Sequence, residues 1–288
     1  MSADPTAAPG PHAAPGPTRV GSHRRRRRSP ELVVLLGLLG AVVLIALFPA
    51  ALAPYDPLEL AGPSLEPPGA SFLLGTDEVG RDLLSRILHG LQISMFAGAV
   101  AIAVALGAGV LVGVVSGVRP GGVADRVLGV VSESVLAVPS ILLSLAVITA
   151  FGRGALIAGI AVGIAEAPGF ARLVRGQVIQ ARTLTYVEAA VGLGARPLRV
   201  ITQHIVPRIA PPLMAYTALN FALALLAIGS LSYLGFGEAP PSPEWGVLIS
   251  EGQRLLVHAW WVAILPGLAL ALTAILLSRI AHLLQEDA

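Results

Sequence analysis

The stretch TLTYVEAAVGLGARPLRVITQHIVP, residues 183–207, is a polar, arginine-bearing segment between two strongly apolar ones. Thr185 is followed three positions later by Glu188, the pattern of a capping box in which each side chain satisfies a free amide at a helix start. Gly192 or Gly194 is expected to end this short helix, because glycine readily adopts the left-handed conformation that closes a helix. The segment therefore begins with a short helix and a glycine turn.

A second helix is expected after the turn. Pro197 suits its first position, where the missing amide hydrogen costs no hydrogen bond. Leu198, Ile201 and Ile205 recur at helical spacing on one face, and Pro207 is expected to stop the helix. Two helices and a turn between membrane-length apolar segments form a docking surface; the alternative is an ordinary cytoplasmic helical hairpin without a partner.

The whole chain has the composition of a polytopic membrane protein. Of 288 residues, 55% are hydrophobic and 12% are charged, and the mean hydropathy is +0.79, far from a soluble domain. All 19 basic residues are arginine, so the lysine of a phosphate-binding P-loop is missing and the chain cannot be its own ATPase. The absence of cysteine excludes disulfides and thiolate metal sites. The arginines lie beside apolar spans, which indicates membrane topology rather than nucleic-acid binding.

The string EAAVGLG, followed by HIVP, resembles the EAA motif of the membrane subunits of binding-protein-dependent ABC importers. In that family the short helix lies in a groove of a cytoplasmic ATPase subunit. The resemblance implies a set of ATPase-coupling residues: Glu188, Ala189, Ala190, Gly194 and Pro207. Val206 stands where the family usually has leucine.

Two further strings resemble the dipeptide, oligopeptide and nickel branch of these importers, specifically its C-type permease subunit. They are GTDEVGRDLLSRILHG at residues 75–90 and SYLGFGEAPPSPEWG at residues 232–246. The resemblance implies an all-α integral membrane protein with six transmembrane helices, a cytoplasmic coupling helix-turn-helix and both termini in the cytoplasm, which is the type I importer fold. It also implies a multi-pass protein of a bacterial or archaeal inner or plasma membrane.

Partners follow from the same resemblance. They are a B-type permease that forms a heterodimer with this chain, two ATPase subunits, an extracytoplasmic substrate-binding protein and the membrane lipid, with no nucleic acid. The chain is expected to be a non-catalytic transport subunit without a cofactor of its own, and ATP and magnesium are expected on the ATPases. Di- or oligopeptides are the favoured substrates, with nickel or another small solute as the alternative.

Two other classes of function compete with an importer subunit. A self-powered secondary transporter is expected to show paired broken helices in two similar halves, which the sequence does not show. A membrane enzyme needs a convergent polar constellation. The six histidines are scattered along the chain and form no metal-ligand pattern.

The chain divides into four regions. Residues 1–30 have the Pro, Ala and Gly composition of a disordered tail and end in a run of arginines. Residues 31–53 are expected to be the first transmembrane helix, with an apolar core from 32 to 52; the alternative is a signal peptide cleaved after ALA at 51–53. Residues 54–93 are expected to be extracytoplasmic with an amphipathic helix, and residues 94–285 form the permease core with the coupling loop at 183–207.

The expected spans of the core lie at about 94–118, 127–151, from 155 onward, 211–234 and 258–281. Four arginines, Arg81, Arg86, Arg153 and Arg254, fall in segments assigned to the outside, and the other fifteen of the 19 fall inside. Because loops rich in arginine stay in the cytoplasm, this bias places both termini there.

Residues 83–91 are predicted to form an amphipathic helix at the membrane surface. Leu83, Ile87 and Leu91 recur at helical spacing, with Arg86 on another face. The nearby acids, Asp77, Glu78 and Asp82, suggest a cation site in isolation, but they do not follow a calcium-loop spacing. A capped surface helix is the preferred interpretation.

Three single residues carry open alternatives. Glu166, within a span, either faces the translocation cavity or bonds backbone amides freed by a helix break at Pro168. Glu133, near the inner end of a span, either pairs with a loop arginine or is solvated. Trp245 is either a docking or gating residue for the binding protein or an anchor of the interfacial aromatic belt.

Overall fold

The computed structural model describes residues 30–286, and α-helices make up nearly all of their regular structure. The helices are α1 Pro30–Leu47, α2 Leu83–Val118, α3 Val123–Leu136, α4 Ser140–Phe151, α5 Ala155–Arg182, α6 Thr185–Gly192, α7 Pro197–Val200, α8 Val206–Tyr233, α9 Trp245–Gly252 and α10 Trp261–Glu286. Short 3-10 helices lie at Pro49–Ala51 and Gln253–Leu255, and a π-helical turn at Ile201–Ile205 joins α7 to α8. Within residues 30–286 there is no β-strand. The predicted all-α class is confirmed, and residues 1–29 of the predicted tail lie outside the described residues.

Within residues 30–286, five helical runs are long and apolar enough to cross a membrane: α1, α2, α5, α7 with α8, and α10. The predicted third span, residues 127–151, is instead two helices, α3 and α4, that meet at an angle of 92°. The bend lies just before α4, where the ring of Pro139 disfavours helical backbone in the residue preceding it. Six spans are therefore present when α3 and α4 count as one broken span.

Helices α2 and α5 pack closely along a stripe of glycines. On α2 the stripe consists of Gly109, Gly113 and Gly117, one on each turn. A Cβ atom added at these positions would lie only 2.3, 2.6 and 2.7 Å from side-chain atoms of α5. Small residues let helix backbones approach where lipid removes the hydrophobic driving force, so the glycines of α2 allow the close packing of these two helices.

Helix α2 corrects the prediction of a separate amphipathic surface helix. One continuous helix of 36 residues begins at Leu83 and replaces both that helix and the next span. Its length of about 54 Å exceeds the roughly 30 Å of a bilayer core, so α2 extends beyond the membrane. Leu83, Arg86 and Leu91 are all buried, because the segments 53–82 and 234–256 pack around the start of α2. We call these two segments the cap.

Two other helix boundaries differ from the predicted ones. α1 ends at Leu47, before the predicted Leu52, and a 3-10 helix containing Pro49 follows it. α5 runs unbroken through Pro168, where the sequence predicted a break. Proline is tolerated inside membrane helices because neighbouring groups satisfy the freed carbonyl. The interpretation of Glu166 as a partner of amides freed at a break is therefore wrong.

The hydrophobic core divides along the bundle axis. One cluster lies beneath the cap and contains Leu83, Trp245 and Trp261. A second joins α2, α4, α5 and α8 in the middle. A third, with Val187 and Ile205, lies where α5 ends and α8 begins. The two ends of the bundle are thus each organised around a core of their own.

Candidate functional site: the hairpin and the cap

Residues 183–205 form a helical hairpin between α5 and α8, and its first helix starts differently from the prediction. Leu184 is the N-cap of α6, no side chain caps the helix, and Thr185 is already helical. The Leu184 carbonyl accepts hydrogen bonds from the amides of Val187 and Glu188 at 2.8 and 3.0 Å. The predicted capping box is therefore wrong, because Thr185 lies one position inside the helix. The Glu188 side chain is exposed.

The glycine turn of the hairpin is confirmed. α6 ends at Gly192, and Gly194 has a φ of +81°, in the left-handed region. The Ala195 amide donates to the Ala190 carbonyl at 3.1 Å, and the Gly194 amide donates to the Val191 carbonyl at 2.9 Å. This pair of bonds is a Schellman motif. It closes α6 and fixes the direction in which the chain leaves it.

The second half of the hairpin continues directly into α8. Pro197 occupies the first turn of α7 as predicted. Pro207, however, does not stop the helix: the Val206 amide bonds the Ile201 carbonyl five residues earlier, and α8 continues to Tyr233. A π-helical turn accommodates an extra residue within a helix, and Pro207 follows that turn without needing an amide donor.

The π turn also changes which side chains are buried. Val200 and Ile205 are buried, but Leu198, predicted on the same face as Ile205, is 72% exposed. The predicted face assumed regular α-helical spacing, and one wider turn shifts the register of everything on one side of it. Leu198 consequently adds apolar surface to the outside of the hairpin.

One buried residue anchors α6 to the bundle, and the other faces of α6 are largely exposed to solvent. Val187 is 1% exposed and packs in the cluster that joins α5 to α8. The Tyr186 and His204 rings lie at a tilted angle to each other, with centroids 6.0 Å apart. The predicted coupling residues Glu188 and Ala189 are exposed, and Ala190 is partly buried. The hairpin is therefore held rigidly and presents an outer face without partners in the described part of the chain.

At the opposite ends of α5 and α8, the cap contains a buried ion-pair network. The Arg86 side chain is 1% exposed, and its guanidinium Nη1 lies 2.6 Å from Asp77 Oδ2 and 3.2 Å from Glu251 Oε2. Its Nη2 donates to the Pro241 carbonyl at 3.1 Å. Arg86 thus joins the start of α2 to the loop before α9.

Two of the three acids singled out near α2, Asp77 and Asp82, accept hydrogen bonds from the protein itself, and Glu78 is exposed. Asp77 Oδ1 accepts from the amides of Val79 and Arg81, each at 2.9 Å. Asp82 Oδ2 accepts from the amide and the hydroxyl of Ser85 and so caps α2. The predicted cap of this helix is confirmed, although the helix is not a separate surface helix. No cluster of His, Cys, Asp and Glu suited to a metal ion occurs within residues 30–286.

Trp245 lies in the core of the cap. It is 2% exposed, and its indole Nε1 donates to the Ile87 carbonyl of α2 at 3.0 Å. A buried ring offers no surface to a binding protein or to the membrane interface in this conformation, so neither interpretation from the sequence gains support and the docking or gating role of Trp245 stays a prediction. The ring is buried because α2 extends into the cap and Gly90 leaves room for it.

Glu244 and Glu238 were not singled out from the sequence. Burial raises the pKa of the Glu244 carboxyl from its ordinary value to about 7, although the Ser232 hydroxyl and the Gly246 amide act to lower it. Glu238 Oε1 accepts from the Ala155 amide at 2.8 Å and so binds the start of α5 to the cap. The acidic composition of this loop was visible in the sequence, but burial of a carboxyl depends on the fold.

The two acids of the spans remain without an assigned role. Glu166 is half-buried on α5 and does not line the cavities beside that helix, so its role in translocation stays a prediction. Glu133 is exposed and lines a cavity between α2, α3 and α5. No ion pair joins Glu133 to an arginine among residues 30–286, so the pairing interpretation is not supported.

A bundle of membrane-length helices interrupted by one exposed hairpin defines a multi-pass membrane protein of the permease class. The chain belongs to the family described as the binding-protein-dependent transport system inner membrane component, whose profile matches residues 109–287. The matched region includes the hairpin. The chain is therefore a membrane subunit of a transport system, as its motifs predicted.

Named relatives and solved structures agree with this assignment. Over 249 residues the chain is 38% identical to the probable D,D-dipeptide transport system permease protein DdpC of Escherichia coli (strain K12). This alignment covers 86% of this chain and 83% of the relative. Over 252 residues it is 36% identical to the di/tripeptide transport system permease protein DppC of Pseudomonas aeruginosa (strain UCBPP-PA14), with 85% and 83% covered. Both alignments extend over nearly the whole described chain.

Solved structures share the fold at low sequence identity. An amino acid ABC transporter crystallised with histidines matches with a TM-score of 0.55 and 17% identity, over 70% of this chain and 94% of that one. An inward-facing MetNI methionine ABC transporter matches with a TM-score of 0.52 and 21% identity, over 70% and 96%. The predicted fold of a type I ABC importer membrane subunit is confirmed.

Proposed function

We propose that this chain forms half of the translocation pathway of an ATP-driven peptide importer and that its hairpin couples the pathway to an ATPase. The exposed face of α6 carries the proposal. Glu188 and Ala189 lie on that face, and Leu193 at its end is 90% exposed. A face that is rigid, exposed and partly apolar is typical of a protein interaction site.

The connections of α6 explain how a push on it would reach the membrane. Only two residues, Thr183 and Leu184, separate α6 from α5, and Val187 fixes α6 to the core at that end. Beyond Gly194 the chain enters a helical run, Pro197–Tyr233, that is continuous through the π turn. Movement of α6 therefore moves α5 and α8 together. ATP binding that favours one arrangement of the ATPases shifts the two spans between inward-open and outward-open states.

The proposed assembly contains a second, B-type permease, two ATPase subunits that hold ATP and magnesium, and a substrate-binding protein on the side of the cap. This chain itself carries no catalytic role. The excess of arginine at the hairpin end supports a cytoplasmic hairpin and cytoplasmic termini, because arginine-rich loops are retained there. The named relatives act on D,D-dipeptides and on di- and tripeptides, which supports small peptides as the substrate here rather than nickel.

The test is ATP hydrolysis by the complete complex, obtained by expressing the chain with the products of its neighbouring genes. Glu188→Arg is expected to assemble but to lose stimulation of hydrolysis by the binding protein, because the charge on the contact face is reversed. Gln180→Arg is the control, since it introduces the same positively charged side chain at an exposed position near the end of α5. Normal stimulation in Glu188→Arg would remove this residue from coupling. Failure of any ATPase to copurify with the wild-type chain would overturn the proposed function.

A further inference from the structure

A groove runs along α5 at the hairpin end of the bundle. Its larger part has a volume of about 580 Å³ and lies between α2, α3 and α5. A second cavity of about 150 Å³ continues it, and the two share Val112, Ser132 and Ala171 as lining residues. The lining residues of α5 run from Ile164 to Arg175, about 16 Å along the helix. The groove thus leads from the end of the bundle toward its middle.

The charges in the groove fall into two groups. Asp125 and Arg175 form a closed pair, with Arg175 Nε 2.6 Å from Asp125 Oδ1 and Nη2 2.9 Å from Oδ2. Arg126, Arg172 and Glu133 also line the groove and form no ion pair within residues 30–286. The groove therefore offers two open guanidinium groups and one open carboxylate.

Resting on the proposed function, we propose that this groove binds a small zwitterionic peptide on its way through the subunit. The guanidinium groups of Arg126 and Arg172 would bind the terminal carboxylate, a match that guanidinium geometry favours. The Glu133 carboxylate would bind the terminal ammonium. The volume lies within the range of about 300–1,000 Å³ found for small-molecule sites.

The positions of Arg126 and Glu133 along α3 suit a short peptide. Arg126 and Glu133 are seven positions apart on α3, which places them on the same face and about 10 Å apart along the helix. A fully extended chain spans at most about 3.5 Å per residue. A peptide of three residues therefore matches the separation of the two positions along the helix.

Thiol protection tests the site directly, because the chain contains no cysteine. Ser132→Cys places a thiol in the groove, and Ser134→Cys on the same helix, exposed and outside the groove lining, is the matched control. The rate of modification by a maleimide is measured on this chain in the complete complex. Trialanine is the probe, and N-acetyl-trialanine-amide has the same length without the two charges.

Trialanine is expected to slow modification of Ser132→Cys about threefold at twice its dissociation constant, by mass action. The blocked peptide is expected to leave the rate unchanged, and neither peptide should affect Ser134→Cys. Adding Glu133→Gln or Arg126→Gln is expected to abolish protection by trialanine. Equal protection by both peptides, protection by neither, or a Ser132→Cys thiol that does not react would overturn the site. Stimulated ATP hydrolysis in the same preparation shows whether the proposed function stands when the site fails.

Discussion

The cap and the hairpin, at opposite ends of α5 and α8, handle charged groups in opposite ways. In the cap, charged groups are buried: Asp77, Asp82, Arg86 and Glu244 are all nearly inaccessible. In the hairpin, Glu188, Arg196 and Arg199 are exposed, and the apolar side chain of Leu193 is almost wholly exposed as well. The cap pairs its buried arginine, Arg86, with Asp77 and Glu251 of its own chain, whereas the hairpin leaves the apolar side chain of Leu193 for another molecule to cover.

Because of this difference, we expect substitutions in the cap to change stability and substitutions in the hairpin to change coupling to the ATPase. A buried charge whose partner is removed costs several kcal/mol, so changes in the cap should act on the folding of the subunit. Changes on an exposed surface usually shift stability by no more than about 0.5 kcal/mol, so changes in the hairpin should act on assembly and ATPase coupling alone. Four variants test this separation.

Arg86→Met is expected to have the largest effect. It leaves Asp77 buried without its counter-charge, at a cost of about 3–5 kcal/mol, and removes the link to the Pro241 carbonyl. Thermal unfolding of the purified complex measures the loss. Arg254→Met removes an exposed arginine of the same cap and should leave the unfolding temperature unchanged. Equal unfolding temperatures for the two variants would show that the network does not hold the cap.

Glu244 is expected to make the cap sensitive to pH. Its carboxyl has a pKa of about 7 in the folded protein against 4.5 ordinarily, so the folded state holds the proton more tightly between these values. Stability should therefore fall as pH rises from about 4.5 to about 7, by about 3 kcal/mol in total. Unfolding at pH 5 and pH 8 measures this change.

Glu244→Gln should remove most of the pH dependence and leave the protein at pH 8 as stable as at pH 5. Glu78→Gln, which removes an exposed carboxyl of the cap, should retain the full difference. A pH dependence that is the same in both variants would assign it to other groups.

The hairpin was more predictable from the sequence than the cap. The turn at Gly194 and the helix start at Pro197 depend on the conformational preferences of single residues, which the sequence displays directly. The burial of Arg86 depends on Glu251, which is 165 residues away. The burial of Trp245 depends on the Ile87 carbonyl, which is 158 residues away. No local pattern encodes such pairings.

Proline was the least reliable local signal. Pro139 does mark a bend, but Pro168 and Pro207 lie within continuous helices. In water, proline in a helix interior costs about 3 kcal/mol. In a membrane-spanning bundle, any other backbone conformation would leave polar backbone groups without hydrogen bonds, so the helix continues through the proline. A π turn or a neighbouring group then compensates for the hydrogen bond that proline cannot make. Rules for helix ends derived from soluble proteins therefore misplaced the end of the hairpin.

Gly90→Ala tests a single close contact between α2 and the cap. The new methyl group would lie 2.3 Å from the Pro243 carbonyl oxygen, and the backbone must shift at a cost of about 1–3 kcal/mol. Gly107→Ala on the same helix meets no atom within 4 Å and should be neutral or stabilising by up to about 1 kcal/mol. If the unfolding temperature falls equally in both variants, the effect comes from helix α2 itself rather than from its contact with the cap.

Leu193→Asp should have the smallest effect on stability, within about 0.5 kcal/mol, because the side chain touches little of its own chain. Its effect on assembly should be large, since a carboxylate at the centre of an apolar contact must lose its hydration. Retention of the ATPase during purification measures it. Leu58→Asp, an exposed leucine of the cap, is the control and should retain the ATPase. Loss of the ATPase from both variants would mean that a general defect in the subunit, rather than the exposed face of the hairpin, governs assembly.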